Sequence, residues 1–148
     1  MDIRLRPTRG SDLPLFYDHQ CDAGAAAMAG FTPRPRPAFD AHWDRILARP
    51  DCTVATVEVD GGPVGYVATF PRDDRREIAF WLDRSVWNRG VGRQAVSTFV
   101  ARHRERPLFA TVIPTNTASL ALLRRCGFRL IGQETGPDAE PERLLRLD

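Results

Sequence analysis

The sequence predicts a single α/β domain built on a mixed sheet, and three observations carry that expectation. Apolar residues switch between strand-like alternation and helical spacing in the order β-α-α-β-β-β-α-β-α-β-β. Two β-branched runs are joined by Asp60-Gly61-Gly62, the signature of a tight hairpin. The chain has 148 residues, 43% of them hydrophobic, which is enough for one substantial core and too little to argue for two. One domain covering residues 1–148 is expected.

Ile3-Arg4-Leu5-Arg6 alternates as a short edge strand before Pro7. Ser11-Asp12 then offers side-chain oxygens to cap a helix carrying Leu13, Leu15, Phe16 and His19. Residues 22–30 are alanine-rich and weakly helical. Thr32-Pro33-Arg34-Pro35-Arg36-Pro37 cannot donate a regular backbone ladder and is expected as extended surface loop. Phe39, Trp43, Ile46 and Leu47 recur at helical spacing and stop before Pro50. Residues 52–59 and 64–70 are the two hairpin strands, and 77–82 is a third. Val91, Ala95, Val96, Phe99 and Val100 form the apolar face of the next helix, with Pro107 beyond its end. Residues 108–113 read as a strand stopped by Pro114, and Thr115-Asn116-Thr117 supplies caps for a helix through Leu120, Leu122, Leu123 and Cys126. Gly127 ends that helix as a left-handed cap, with Arg124 and Arg125 at its negative pole. Residues 128–133 and 143–147 complete the sheet.

Composition narrows the function. All 21 basic residues are arginine, and against 19 acids they leave a net charge of +2, far from the basicity that drives nucleic-acid binding. With no lysine, Schiff-base chemistry and a P-loop lysine are excluded. No apolar run is long enough to cross a membrane, and the opening Met1-Asp2-Ile3-Arg4 is unlike a signal peptide, so no membrane partner and a cytoplasmic location are expected. Cys21, Cys52 and Cys126 are far apart with no C-x-x-C pair, which reads as buried free thiols rather than disulfides or a metal site. His19, His42 and His103 show no metal spacing and read as helix-surface residues.

The most informative stretch is Trp87-Asn88-Arg89-Gly90-Val91-Gly92-Arg93-Gln94-Ala95-Val96, where a loop becomes an amphipathic helix. Amides at a helix start lack internal partners and, with the macrodipole, attract anions. Gly90 and Gly92 would let phosphates approach, and Arg89 and Arg93 add donor forks. A phosphorylated cofactor follows. Gly90-Val91-Gly92-Arg93-Gln94-Ala95 also satisfies the dinucleotide fingerprint G-x-G-x-x-A, but residues 83–89 separate it from the preceding strand and no acid stands near Thr111-Val112-Ile113.

Together with its neighbours this stretch resembles the GNAT superfamily of acetyl-CoA-dependent N-acetyltransferases, and in particular its ribosomal-protein N-acetyltransferase-like branch. Glu77-Ile78-Ala79-Phe80-Trp81-Leu82 is similar to the branch's E-I-G-Y-W-I strand, and residues 87–95 to its cofactor loop. Asn116-Thr117-Ala118-Ser119 and Leu122-Leu123-Arg124-Arg125-Cys126-Gly127-Phe128 resemble its N-x-x-S/A helix and closing G-F. The likeness implies a mostly antiparallel seven-stranded sheet flanked by about four helices, whose central parallel strands splay to admit pantetheine. It implies acetyl-CoA as cosubstrate, no metal, and a small-molecule or peptide amine as acceptor, with a homodimer plausible. Trp81 and Leu82 would lie along pantetheine, Arg89, Gly90, Val91, Gly92, Arg93 and Gln94 on the pyrophosphate, and Asn116 near the pantetheine arm.

The chemistry implied is direct attack by the amine, with no covalent acyl-enzyme. An alkyl amine with a pKa of about 10.4 is mostly protonated at neutral pH, so a base is useful. Glu77 matches the family's catalytic glutamate; the alternative is an exposed strand-end carboxylate paired with Arg75 or Arg76. The family's usual proton donor to the departing thiolate is a tyrosine, and Leu123 stands in its place. Ser119, one turn nearer the cofactor, is the candidate substitute, or else it only supports the helix's first turn. Trp87 is expected to anchor the loop and Tyr66 to sit in the core, while Met28, Phe31 and the Pro/Arg segment are candidates to line the acceptor site. A second reading keeps the shape and loses the chemistry: a non-catalytic or weakly catalytic acyl-CoA-binding regulatory module.

Overall fold

A computed structural model describes residues Met1–Asp148. β1 (Ile3–Pro7) leads through a 3-10 turn into α1 (Leu13–Gln20), α2 (Ala23–Ala29) and α3 (Arg36–Ala48). The strands β2 (Thr53–Val59), β3 (Gly62–Arg72) and β4 (Arg75–Leu82) follow, then α4 (Val91–Arg102), β5 (Leu108–Val112), α5 (Thr117–Arg125), β6 (Arg129–Thr135) and β7 (Pro141–Leu147). One seven-stranded sheet runs in the order β1-β2-β3-β4-β5-β7-β6. Only β4 and β5 are parallel neighbours, as expected.

Alternation along the strands places two apolar layers on opposite faces of this sheet. Val67 of β3, Ile78 of β4 and Leu108 of β5 pack with Val91, Val96 and Phe99 of α4 and Leu123 of α5. On the other face Phe16 of α1 and Phe39 and Trp43 of α3 pack with Tyr66, the strand neighbour of Val67. The β2–β3 hairpin turns through positive φ at Asp60 and Gly61, as its signature predicts.

Several local expectations are corrected. Five helices flank the sheet, because residues 23–29 form a full helix once the Asp22 carboxylate accepts from the amides of Gly24 and Ala25. The Pro/Arg loop ends earlier than expected: α3 begins at Arg36, with Pro37 in the first turn, where a missing N–H costs no helical bond. Asp12 caps no helix with its side chain. Its buried carboxylate accepts from both terminal nitrogens of Arg6 at 2.8 and 2.7 Å, from the Arg9 amide at 2.9 Å and from the Thr56 hydroxyl at 2.9 Å. The Arg6 guanidinium, more than the opposing desolvation, holds its pKa down to about 2. His19 is buried rather than surface-exposed, with neither ring nitrogen hydrogen-bonded; burial lowers its pKa against the pull of Asp83. The three thiols are free but not buried, Cys21 being exposed and the others partly covered.

β4 and β5 pair only at Arg76↔Leu108 and Glu77↔Phe109. Beyond that point β4 stays with β3 through Leu82 and β5 stays with β7 through Val112, so the two strands part and leave a V in the middle of the sheet. Opposite the open limb, Gly65 of β3 approaches β4 so closely that a Cβ there would lie 2.0 Å from the Trp81 carbonyl oxygen.

Candidate active site

The V opens toward the start of α4, and a groove of about 440 Å³ runs along it. Trp81 and Leu82 of β4, Gly90, Gly92 and Arg93 at the loop-to-helix junction, and Asn116 and Ser119 at the start of α5 all line this groove. Gly90 is the N-cap of α4 at φ 79, a left-handed angle suited to glycine, with open space where its side chain would be. The Gln94 amide donates to the Gly90 carbonyl, and the amides ahead of it lie in the turn that has no intrahelical acceptor. Gly92 is small for a different reason than phosphate access alone: a Cβ there would come within 2.6 Å of Leu122 and 3.1 Å of Leu82, so it lets α4 pack against α5 and β4.

Three of the expected ligand residues, and the expected base Glu77, do not line the groove. Val91 is wholly buried in the core and offers only its backbone. Arg89 and Gln94 are exposed beside the helix start, outside the groove. Glu77 lies at the apex of the V rather than along its limb. It is 2% exposed, its Oε2 accepting from Arg75 at 2.9 Å and its Oε1 from Arg72 at 3.4 Å. The exposed carboxylate paired with Arg75 or Arg76 is thus corrected on burial and on one partner: Arg72 joins Arg75, while Arg76 pairs with Glu105. Arg75 also bridges to Glu134 of β6 at 2.6 Å, a partner no local pattern announces.

Asn116 caps α5, its Oδ1 accepting from the Ser119 amide at 3.2 Å, and the Ser119 hydroxyl has no protein partner. Leu123 is 1% exposed in the main core, so no protic group stands at that position. Trp87 anchors the loop as expected, its indole donating to the Leu82 carbonyl at 3.0 Å. Ala118, Leu122 and Arg125 also line the groove. Their i, i+4, i+7 spacing on α5 was the available signal for them.

A second cavity of about 390 Å³ lies against the other side of the splayed limb and shares Phe80 and Trp81 with the groove. Phe31 and Arg34 line it, whereas Met28 belongs to the groove. Tyr66 is packed as expected but also forms part of this wall, 4.9 Å from Trp43 and 5.2 Å from Phe16 between ring centres. Desolvation pushes its phenol up to about 12, and burial with Arg34 and Arg45 nearby brings His42 down to about 4. Both are neutral at physiological pH. Nowhere do three or more His, Cys, Asp or Glu side chains converge as a metal site.

Residues 2–129 match the family model described as an acetyltransferase (GNAT) domain. The chain belongs to the GNAT family. GNAT enzymes move an acetyl group from acetyl-CoA to an amine, and this chain is an acetyltransferase of that kind. No curated protein sequence matches it. Solved structures share the GNAT fold over nearly its whole length. An aminoglycoside acetyltransferase, AAC(6')-Ib, in complex with coenzyme A and kanamycin is 18% identical over 99% of this chain and 94% of that one, with a TM-score of 0.84. A spermidine N-acetyltransferase from Vibrio cholerae in complex with CoA and spermine is 12% identical over 98% and 94%, with a TM-score of 0.83. RimL, a ribosomal L7/L12 alpha-N-protein acetyltransferase in complex with coenzyme A, is 18% identical over 98% and 93%, with a TM-score of 0.81.

Proposed function

We propose that the groove binds acetyl-CoA and the second cavity the acceptor amine, so that both meet at Phe80 and Trp81. The parting of β4 from β5 directly beside the start of α4 carries this reading, because it presents a free strand edge and an anion-binding helix end to one elongated ligand. The pyrophosphate falls to the first amides of α4 and Arg93, with Arg89 and Gln94 near enough in sequence to assist from outside. Trp81, Leu82 and Asn116 flank the pantetheine arm.

Acetyl-CoA supplies a thioester with a good leaving group. The amine nitrogen bonds to the carbonyl carbon as the carbon–sulfur bond breaks, and the sulfur leaves with the bonding pair. The amine proton passes to Glu77 through a water at the apex of the V, since Glu77 faces neither cavity and its looser partner, Arg72, is the one that can yield. The Ser119 hydroxyl, in the groove wall, hands a proton to the thiolate and is itself reprotonated from solvent. General-base and general-acid help of this kind contributes about 10²- to 10⁴-fold each.

Calorimetry with coenzyme A tests donor binding: the parent protein should give heat of binding, and Arg93→Glu, which places a carboxylate at the exposed rim of the groove without disturbing the core, should abolish it while circular dichroism shows the helices retained. Equal binding by both proteins refutes the site. Thiol release across a panel of amines separates the enzyme from a weakly catalytic acyl-CoA-binding module, the reading that the buried Leu123 favours. A cytoplasmic location and a homodimer complete the proposal; β6 is an outer strand with Leu130 and Ile131 each 40% exposed, a ready edge for a second copy, and sedimentation tests it.

A further inference from the structure

We propose that the acceptor is a small aromatic amine bearing a carboxylate, seated in the second cavity with that carboxylate on Arg34, and that the site rejects polycations. The inference rests on the acceptor-site reading above and goes beyond it by naming the substrate class.

The wall of the cavity is built from rings. Phe16, Trp43 and Tyr66 form a mutual cluster with centres 4.9 to 5.3 Å apart, and Phe31 meets Trp81 edge-on at 5.4 Å. Such a wall takes up another ring by offset or edge-to-face packing. The only residues outside this apolar set are Gln20, Arg34, His42 and Thr69, and no Asp or Glu lines the cavity. Two of these polar groups are already engaged. Gln20 bonds through both amide atoms to the backbone of Arg34, at 2.8 and 3.0 Å, and so fixes that segment over the cavity. The Thr69 hydroxyl faces His103 at 3.5 Å.

What remains is asymmetric in charge. The Arg34 guanidinium lies 5.2 Å over the Phe31 ring and has no carboxylate within ion-pair distance, although Arg36, two residues on, is paired with Asp40. His42 and Tyr66 stay neutral, and the Tyr66 hydroxyl is a donor without a protein partner. The cavity therefore carries one uncompensated positive charge. A carboxylate would meet a two-pronged donor there, whereas a polyamine or aminocyclitol would bring several ammonium groups out of water with no anion to receive them.

The same asymmetry helps the reaction. Desolvation and a nearby like charge both disfavour an ammonium. The α-amine of an amino acid is less basic than an alkyl amine, whose pKa is about 10.4, and so gives up its proton at lower cost. An aromatic amino acid combines the ring, the carboxylate and the less basic amine.

Thiol release with acetyl-CoA should be measured for L-phenylalanine and L-tryptophan, for phenethylamine and tryptamine as their carboxylate-free counterparts, and for spermine and kanamycin as polycations. The expected order in kcat/KM is amino acid, then carboxylate-free amine, then polycation near background. Arg34→Gln should raise KM for the amino acids by about 10- to 100-fold, the worth of a charge-assisted hydrogen bond, and leave phenethylamine and coenzyme A affinity unchanged. Turnover of spermine or kanamycin above the amino acids overturns the inference while leaving the transferase reading intact. So does an equal KM increase for phenylalanine and phenethylamine in Arg34→Gln. Absence of thiol release with every probe, in protein that binds coenzyme A, overturns both.

Discussion

Replacing Glu77 by glutamine separates its two roles, because the substitution keeps the shape and removes the charge. Arg75 retains both of its bonds to Glu134, at 2.8 and 2.6 Å, so the structural loss falls on one charge-assisted bond at 2.9 Å and the looser 3.4 Å contact to Arg72. Such bonds contribute about 1.5 to 3 kcal/mol and the amide oxygen preserves one acceptor, so a stability loss of about 1 to 2 kcal/mol is expected. A domain with about 5 to 15 kcal/mol of stability stays folded through that loss. If Glu77 takes the amine proton, the barrier rises by about 3 to 5 kcal/mol, which is about 10²- to 10⁴-fold in rate. The assay is thiol release at saturating acetyl-CoA between about pH 6 and about pH 9, beside a thermal melt. The variant's rate should climb with pH in step with the free-amine fraction of the substrate. A lower melting temperature with kcat within about threefold of the parent and the same pH profile would show that Glu77 is only a member of an ion-pair chain.

Asp12→Asn should weaken the protein above about pH 4 and flatten its acid denaturation. The native carboxyl titrates near 2 against an ordinary 3.8, so its contribution, about 2 kcal/mol, is present above the unfolded value and is lost as pH falls through the native one; melts as a function of pH read this directly. Gly65→Ala should destabilise by about 3 kcal/mol or more and weaken coenzyme A binding, since its Cβ collides with the Trp81 carbonyl on the limb of the V; denaturant melts and calorimetry check the two effects. Ser119→Ala should lower kcat at saturating acetyl-CoA without changing coenzyme A affinity, and unaltered turnover removes Ser119 from the scheme.

Local chemistry makes much of this fold legible in the sequence. Asp60-Gly61, the alternation of residues 77–82, the Asn116 cap and the glycine-bearing start of α4 are signals contained within a few neighbours, and the structure reproduces each. The misreadings involve partners far along the chain. Asp12 has the neighbours of a helix cap, but its carboxylate is held by Arg6 of β1 and by the hydroxyl of Thr56, 44 residues away. Glu77 was read against its flanking arginines, and the chain of charge actually runs on through Arg75 to Glu134, 59 residues further than Arg75. Gly92 carries a packing constraint from Leu122 that its motif conceals. The second cavity is the least legible, because Gln20, Arg34 and His42 come from three different segments and share no spacing.

The placement of β7 between β5 and β6 sets an order of assembly. The last strand in sequence is an interior one, so during synthesis β5 keeps an open side and β6 has nothing to zip against until residues 141–147 have left the ribosome. Truncation ahead of Pro141 would unmoor β6 along with β7 and leave β5 with an open side. The nascent protein should accordingly remain a protease and chaperone substrate until this closing stave is inserted.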